Sequence, residues 1–426
     1  MHTFATVSRR FIALSLGVIF ALTLVACDKE PTVENRSLEE RRREVATAFS
    51  GPVSDDGGKH AAGINALFTS LGKALSDGDH DGVRRHLDLG MMVQLMDKQG
   101  MLPKIMQKDP KRLAALLSQT MPVQLCDPIT GIAYVRHEVR KVRFVAKEDE
   151  AVVITRHWDA DGIGSKFRWW IYKDGDTWRA YDMEVLEMSM RFSTMLAIGF
   201  SEAEKGSLSK ADLAKLLQAV QMVAIGEVAE AEETLVESGR LALPPVLEGL
   251  RLVMLAAVYV DSHRYDTALD AADKAEAASK DMPMVHYLRA VAFNGQKKHD
   301  QAMASANLYL EQLGEDADIL VEVGDAHLGM GETDKAVAAY RGALKDDPQA
   351  VFAVLGLLRV DPAQSGSVVE DYRKIADVEL FFLDLADNLV HRKDAAALRR
   401  LIDLHKQVYP NDQAIEQAED KLKTLQ

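Results

Sequence analysis

An acidic stretch, DGDHDGVRRHLD at residues 77–88, has the spacing of a metal-binding loop. The ligand and turn positions of a calcium loop are occupied here by Asp77, Asp79, Asp81, Gly82 and Asp88. Two features oppose calcium: the last ligand is normally the longer, bidentate glutamate, and Arg84 places a cation inside the loop. Aspartates at a turn also cap the helix that follows. We therefore predict a helix junction and no metal site, with calcium as the alternative.

The other reactive side chains do not form a recognisable catalytic or metal-binding set. A methionine cluster could hold copper(I) through soft thioethers, but its helical spacing favours core filling by Met91, Met92, Met96, Met101 and Met106. His80 and His86 are six residues apart, which is the wrong spacing for one helical face. Cys126, in QLCDPIT, lacks a nucleophile signature and is predicted to be a buried thiol.

Motifs and charge exclude several classes of function. The sequence contains no HExxH, no glycine-rich phosphate loop and no GxSxG. We therefore predict that the protein is not an enzyme and holds no cofactor; an active site assembled from distant residues is the alternative. The formal net charge of −14 argues against nucleic acid as a partner, because an acidic chain does not neutralise phosphates.

The second cysteine, Cys27, ends an apolar run. Arg9 and Arg10 precede sixteen residues, 11–26, that are apolar except for a serine and a threonine. This run is shorter than the ~20 residues of a membrane-spanning helix, so it predicts an export signal. The sequence LVAC at 24–27 resembles a bacterial lipoprotein signal. The resemblance implies a signal peptide at 1–26, cleavage before Cys27, diacylglycerol on its sulfur and an acyl chain such as palmitate on its amino group. An uncleaved membrane helix is the alternative.

A lipoprotein signal implies a protein anchored to the cell membrane and facing the periplasm. Two or more acyl chains give a stable anchor. Asp28, directly after the cysteine, resembles the residue that retains some lipoproteins in the inner membrane, and the outer membrane remains open. Residues 27–60 are rich in turn signals and are predicted to be a tether.

Residues 61–200 are predicted to form an α+β domain. Ile64, Leu67, Leu71 and Leu75 repeat with helical spacing, and four strand patterns follow: HEVRKVRFVA, AVVITRHW, FRWWIYK and WRAYDMEVL. Helices followed by an antiparallel meander resemble the NTF2-like, cystatin-like fold. That fold often encloses an apolar cone, so the resemblance implies a pocket that could be lined by Trp158, Trp169, Trp170, Tyr172 and Trp178.

Residues 205–426 are alanine-rich and repeat every 34 residues. Ala268, Ala302 and Ala336 are one such series. In residues 317–350 the small and aromatic positions resemble tetratricopeptide repeats (TPR), with Gly324, Gly331, Ala336, Tyr340, Ala343 and Pro348 in place. Three repeats are clear, at 249–282, 283–316 and 317–350. The resemblance implies an all-α TPR solenoid with a helix at its C-terminal end.

The family binds partners through places 2, 5, 9 and 12 of each repeat. Here these places hold Leu250, Val253, Ala257, Val260, Met284, Tyr287, Val291, Asn294, Asp318, Val321, Asp325 and Leu328. A groove that is apolar with two aspartates fits an apolar or mildly basic helix. A flanking helix of the same chain is the alternative occupant.

We therefore predict a lipid-anchored scaffold of the cell envelope that binds partner proteins through its TPR groove. The alternative is a periplasmic carrier that holds an apolar ligand in the NTF2-like domain. The sequence names neither the partner protein nor the ligand.

Overall fold

The computed structural model describes residues 51–127, 131–160, 164–186, 189–205, 209–225, 227–375 and 378–425. The predicted signal peptide, Cys27 and most of the predicted tether lie outside these residues. The chain forms two compact units, which divide between Leu288 and Arg289. This division lies beyond the predicted domain boundary near residue 205, and each unit is described by itself below.

Five helices lie between residues 61 and 125 of the first unit: α1 Ala61–Ser76, α2 His80–His86, α3 Leu89–Lys98, α4 Lys104–Gln107 and α5 Pro110–Leu125. The periodic residues of α1, from Ile64 to Leu75, are buried as predicted. Aspartate side chains at positions 79, 88 and 109 accept backbone N–H groups at the starts of α2, α3 and α5. These caps satisfy donors that the first turn of a helix leaves unpaired.

The first unit also contains a six-stranded antiparallel sheet in the order β1 to β6, in which β1 precedes these helices and β2 to β6 follow them. Its strands are β1 Val53–Ser54, β2 Arg136–Phe144, β3 Glu150–Trp158, β4 Gly164–Asp174, β5 Thr177–Val185 and β6 Met190–Arg191. The four predicted strands are present. The two-residue strands were not predicted, because so short a segment carries no periodic pattern. Since β1 pairs with β2, the folded domain begins before the predicted boundary at residue 61.

The sheet has two chemically different faces. On β4, Phe167, Trp169 and Ile171 alternate with three side chains that point the other way. Helix α1 covers the first face, where the Phe68 and Trp169 ring centroids are 5.6 Å apart. The opposite face, here called the charged face, carries the buried side chains of Arg156, Lys166, Trp170, Asp182 and Glu184 and the half-buried side chain of Arg168.

After β6 the regular elements of the described residues are all helices, which confirms the predicted class of an α+β domain followed by an all-α solenoid. The first unit continues with α6 Phe192–Lys205, α7 Lys210–Ile225, α8 Val228–Ser238, α9 Pro245–Asp261 and α10 Tyr265–Ala278. Helix α11, Met284–Gly295, contains the division between the units. The second unit contains α12 His299–Leu313, α13 Ala317–Gly329, α14 Thr333–Asp346, α15 Val351–Arg359, α16 Pro362–Ser365, α17 Val369–Lys374, α18 Val378–His391, α19 Ala395–Val408 and α20 Ala414–Lys423.

Close packing of helices around Tyr340 explains why the repeat pattern has a glycine at position 324. The Tyr340 ring on α14 is fully buried between Gly324 on α13 and Gly356 on α15. A Cβ atom at either glycine would lie 2.4 Å from the Tyr340 Cε1 atom. Interiors packed this densely cannot absorb an added methyl group without moving the ring or a helix.

Candidate functional site

None of the twelve predicted groove positions is exposed in the structure. Seven are buried: Leu250, Val253, Ala257, Met284, Asn294, Val321 and Asp325. Five are half-buried: Val260, Tyr287, Val291, Asp318 and Leu328. An open groove would leave several of these side chains accessible, so parts of the same chain cover much of the predicted surface.

In the first unit, the charged face of the sheet contacts the chain around Tyr287. The Lys166 ammonium lies 5.9 Å from the Tyr287 ring centroid, within the range of a cation–π contact. On the same face, Arg168 joins two carboxylates. Its Nε lies 3.0 Å from the Glu184 Oε2 atom, and its Nη1 donates to the Asp281 Oδ1 atom at 2.8 Å.

The pKa of Arg168 reflects this pairing. Burial alone would lower the pKa of the guanidinium, but the carboxylates of Asp281 and Glu184 outweigh burial and raise it. Arg168 therefore stays charged. The two carboxylates offset the cost of placing this charge in a largely buried position.

In the second unit, Asp325 is the centre of a buried ionic network. Its carboxylate accepts hydrogen bonds from the Tyr340 hydroxyl at 2.7 Å, Arg359 Nη1 at 2.6 Å and Arg392 Nη1 at 2.8 Å. Arg359 lies 34 residues after Asp325, so the two side chains occupy the same place in successive repeats. The network thus joins helices α13, α14 and α15 to the residue that follows α18.

Glu322 lies one helical turn before Asp325 and is also buried. Its Oε2 atom accepts a hydrogen bond from Asn294 Nδ2 at 2.9 Å. Burial, and next the charge of Asp325, raise the pKa of Glu322 to about 7. Burial would also raise the pKa of Asp325, but Arg392 and Arg359 outweigh it and lower that pKa to about 2. Two neighbouring carboxylates therefore differ in protonation near neutral pH.

The remaining inner positions of the second unit differ in accessibility. Val321 belongs to the apolar core that includes α15, α18 and α19, and Leu328 packs against that core. Phe352, 34 residues after Asp318, is 39% exposed. By repeat register Phe352 occupies place 2 of the next repeat. It offers a partner more apolar surface than the buried position 321.

The five aromatic residues predicted to line a pocket do not face one space. Trp169 and Trp178 lie on the face that α1 covers, where Trp169 Nε1 donates to Thr155 and Trp178 packs near His60. Trp158 and Trp170 lie on the charged face, beneath the guanidinium groups of Arg136 and Arg191 respectively. Tyr172 donates to Asp88 at 2.6 Å.

The acidic stretch at 77–88 forms a helix junction, as predicted. Asp79 and Asp88 cap α2 and α3, whereas Asp77 and Asp81 pair with Lys73 and Arg84. Gly82 is buried inside α2. Within the described ranges, no three His, Cys, Asp or Glu side chains are grouped closely enough to hold a metal ion.

The other residues considered for chemistry occupy structural positions. Met92 and Met96 are buried, and Met91, Met101 and Met106 are half-buried. His80 and His86 are both half-buried and stand at the two ends of α2. Cys126 is also half-buried, and burial raises the pKa of its thiol. A thiol with a raised pKa is a poor nucleophile.

A Tyr–His–Asp chain near the C-terminus was missed by sequence reasoning. The Tyr372 hydroxyl lies 2.8 Å from His405 Nδ1, and His405 Nε2 lies 2.7 Å from an Asp412 carboxylate oxygen. Tyr372 and His405 are both fully buried. Because both side chains are closed off from solvent, this hydrogen-bonded series has a structural role: it holds the segment around Asp412, after α19, against the helices.

The partners of Asp325 were also missed, although one of them had a signal. Arg359 would have been found by continuing the 34-residue register of Asp325 past residue 350. Arg392 and the Asp281–Arg168 pair had no such signal, because they join segments that are distant in sequence.

Comparison with protein families identifies a tetratricopeptide repeat at residues 253–318 and 322–360. The predicted resemblance is therefore confirmed for this part of the chain. Repeats of this kind stack into solenoids that bind other proteins, so the architecture is that of a protein-interaction scaffold. No curated protein matches the sequence. Among the described residues, no helix combines the length and apolar character needed to cross a bilayer.

Proposed function

We propose that the protein is a lipid-anchored scaffold of the bacterial cell envelope that binds partner proteins through the inner face of its repeats. The observation that carries the proposal is the series of 34-residue helix pairs, two of which keep a side chain at place 2 that is at least partly exposed to solvent. These are Asp318, half-buried, and Phe352, 39% exposed. No catalytic activity is part of the proposal.

The lipid anchor in this proposal rests on the sequence LVAC at 24–27. Cys27 would carry the acyl chains, and the chain after it would hold the folded units near the membrane surface on the periplasmic side. This placement would restrict the partners to proteins of the envelope. The choice between inner and outer membrane depends on how the sorting machinery treats Asp28.

The chemistry around Asp325 narrows the class of partner. Its charge is balanced within the chain by Arg359 and Arg392, so it does not offer a free negative charge to a basic ligand. The inner side chains of the second unit that keep some exposure include the apolar Phe352 and Leu328 and the acidic Asp318. An amphipathic helix that inserts its apolar face fits this surface best.

The test is purification of the native protein from gently crosslinked cells, with mass spectrometry of both proteins and lipids. We expect a stoichiometric partner protein that is lost in a Phe352→Asp variant. The matched control is Leu308→Asp, because Leu308 on α12 is 46% exposed and lies outside the inner positions. Equal recovery of the partner with both variants would contradict binding at the inner face.

The same experiment distinguishes the scaffold from the alternative carrier. A carrier would co-purify with an apolar small molecule in stoichiometric amount and without a partner protein. The division of the five aromatic side chains between the two faces of the sheet favours the scaffold, because a carrier cone needs them on one face.

A further inference from the structure

In the first unit, the start of the repeat at 283–316 lies against the sheet. Tyr287 occupies place 5 of this repeat, and the Lys166 ammonium lies 5.9 Å from its ring centroid. Met284 occupies place 2 and is only 1% exposed. These are places where a solenoid of this type would contact a partner, and here they lie against or beneath the chain itself.

One ion pair anchors this contact at its edge. Asp281, just before α11, accepts from Arg168 at 2.8 Å. The Arg168 side chain is 13% exposed, whereas that of Asp281 is 46% exposed. The pair therefore stands at the solvent border of the contact, where a change in Asp281 can weaken the contact without entering the core.

The contact is polar in character. The sheet presents here the buried side chains of Lys166 and Glu184 and the half-buried side chain of Arg168, and each is charged. Interfaces between domains of one chain that separate reversibly are more polar than permanent ones. Exposing charged groups to water on opening also costs far less than exposing an equal apolar area.

We propose that the charged face of the sheet is an internal cover on Met284 and Tyr287, the inner positions of α11 that belong to the first unit, and that it must release before a partner can bind there. The cover is an autoinhibitory contact. It keeps Met284 and Tyr287 from associating with apolar segments until a competing partner displaces Lys166 and Arg168. The inference rests on the proposed scaffold function for its biological meaning, but the cover itself can be tested without any partner.

The test is the rate of methionine oxidation by hydrogen peroxide in the purified protein, measured for each methionine by mass spectrometry. In Asp281→Arg, which places two cations against each other, we expect the oxidation rate of Met284 to rise about tenfold through local opening. Met254, fully buried in α9, should keep its slow rate, and Met330, 37% exposed, is the fast internal reference. Asp270→Arg is the matched control, because Asp270 pairs with Lys274 on the exposed side of α10.

Three results would overturn the cover: an unchanged Met284 rate in Asp281→Arg, the same increase in Asp270→Arg, or an equal increase at Met254. The last result would mean that the whole unit loosens. Lys166→Gln provides a second variant if Asp281→Arg does not fold, and it should raise the Met284 rate by removing the cation–π contact. The two proposals can fail separately. If Met284 oxidises faster in Asp281→Arg but Phe352→Asp still recovers the partner protein, the scaffold proposal is refuted and the internal cover is supported.

Discussion

The substitution Glu322→Gln is predicted to stabilise the protein at alkaline pH. Glu322 is buried one turn from Asp325, and its pKa of about 7 compares with an ordinary value of 4.5. At about 1.4 kcal/mol per pKa unit, the ionised carboxylate costs about 3 kcal/mol of folding free energy at pH 8. Glutamine cannot ionise, and its side-chain oxygen can still accept the hydrogen bond from Asn294.

The sign of the pH dependence follows from the direction of the shift. Between pH 4.5 and about 7 the folded protein holds a proton on Glu322 that the unfolded chain releases. Stability from this group is therefore greatest below pH 4.5 and falls as the pH rises to about 7. The Gln variant lacks this fall in stability. Its free energy of unfolding should therefore equal that of the wild-type protein at pH 4.5 and exceed it most at pH 8.

Urea denaturation followed by circular dichroism, at pH 5 and pH 8, measures this difference. Glu315→Gln is the matched control, because Glu315 is exposed just before α13 and should give no difference at either pH. The reasoning is refuted if Glu322→Gln is as stable as the wild-type protein at both pH values, or less stable than it at pH 8. It would show that Asn294 and the arginines stabilise the ionised carboxylate more than burial opposes it.

The remaining predictions concern packing, charge and anchoring. Gly324→Ala should destabilise the protein by about 1–3 kcal/mol in urea denaturation, because the added Cβ would lie 2.4 Å from the Tyr340 ring. The control is Gly342→Ala on α14, where the added Cβ would lie 3.4 Å from its nearest neighbour; this variant should be as stable as the wild-type protein or more stable. Asp325→Asn should lower the free energy of unfolding by about 3 kcal/mol or more near neutral pH, because Arg359 and Arg392 lose the carboxylate that they share. This loss of stability should shrink below pH 4, because Asp325 in the wild-type protein is itself protonated as the pH falls toward its pKa of about 2. Cys27→Ser should leave an uncleaved precursor without acyl chains, and membrane-bound, processed protein from this variant by mass spectrometry would contradict the lipoprotein interpretation.

Much of the fold was predictable because its signals are local or periodic. The four long strands follow from alternation and from charged turns, and the helix pairs follow from the 34-residue series. The repeat pattern includes a glycine at position 324, and the structure places the Tyr340 ring against it. These features depend on residues close in sequence or at a fixed repeat distance.

The candidate site was less predictable, because what covers an inner position comes from elsewhere in the chain. Nothing near Tyr287 indicates that Lys166, more than a hundred residues earlier, lies over its ring. The adjacent pair Trp169 and Trp170 shows the reverse case. Alternation along β4 already required them to point to opposite faces, so a single pocket lined by both was inconsistent with the predicted strand.

The position of Val321 also changes how the groove should be tested. Val321 is one of the predicted groove positions, but its side chain is 8% exposed and belongs to an apolar core. Its substitution would unfold the repeat and remove any partner indirectly. Phe352 avoids this difficulty, because its exposed surface can be altered while the core residues of α15 stay in place.

The central claim, that the inner face of the repeats binds a partner protein, is tested most directly by site-specific photocrosslinking in living cells. A photoreactive phenylalanine analogue is placed at Phe352, and in a parallel strain at Leu308 on α12, which is equally accessible. We predict one discrete crosslinked protein from position 352 and none in common with position 308. The same pattern of crosslinks from both positions, or crosslinks to lipid alone from position 352, would contradict the claim.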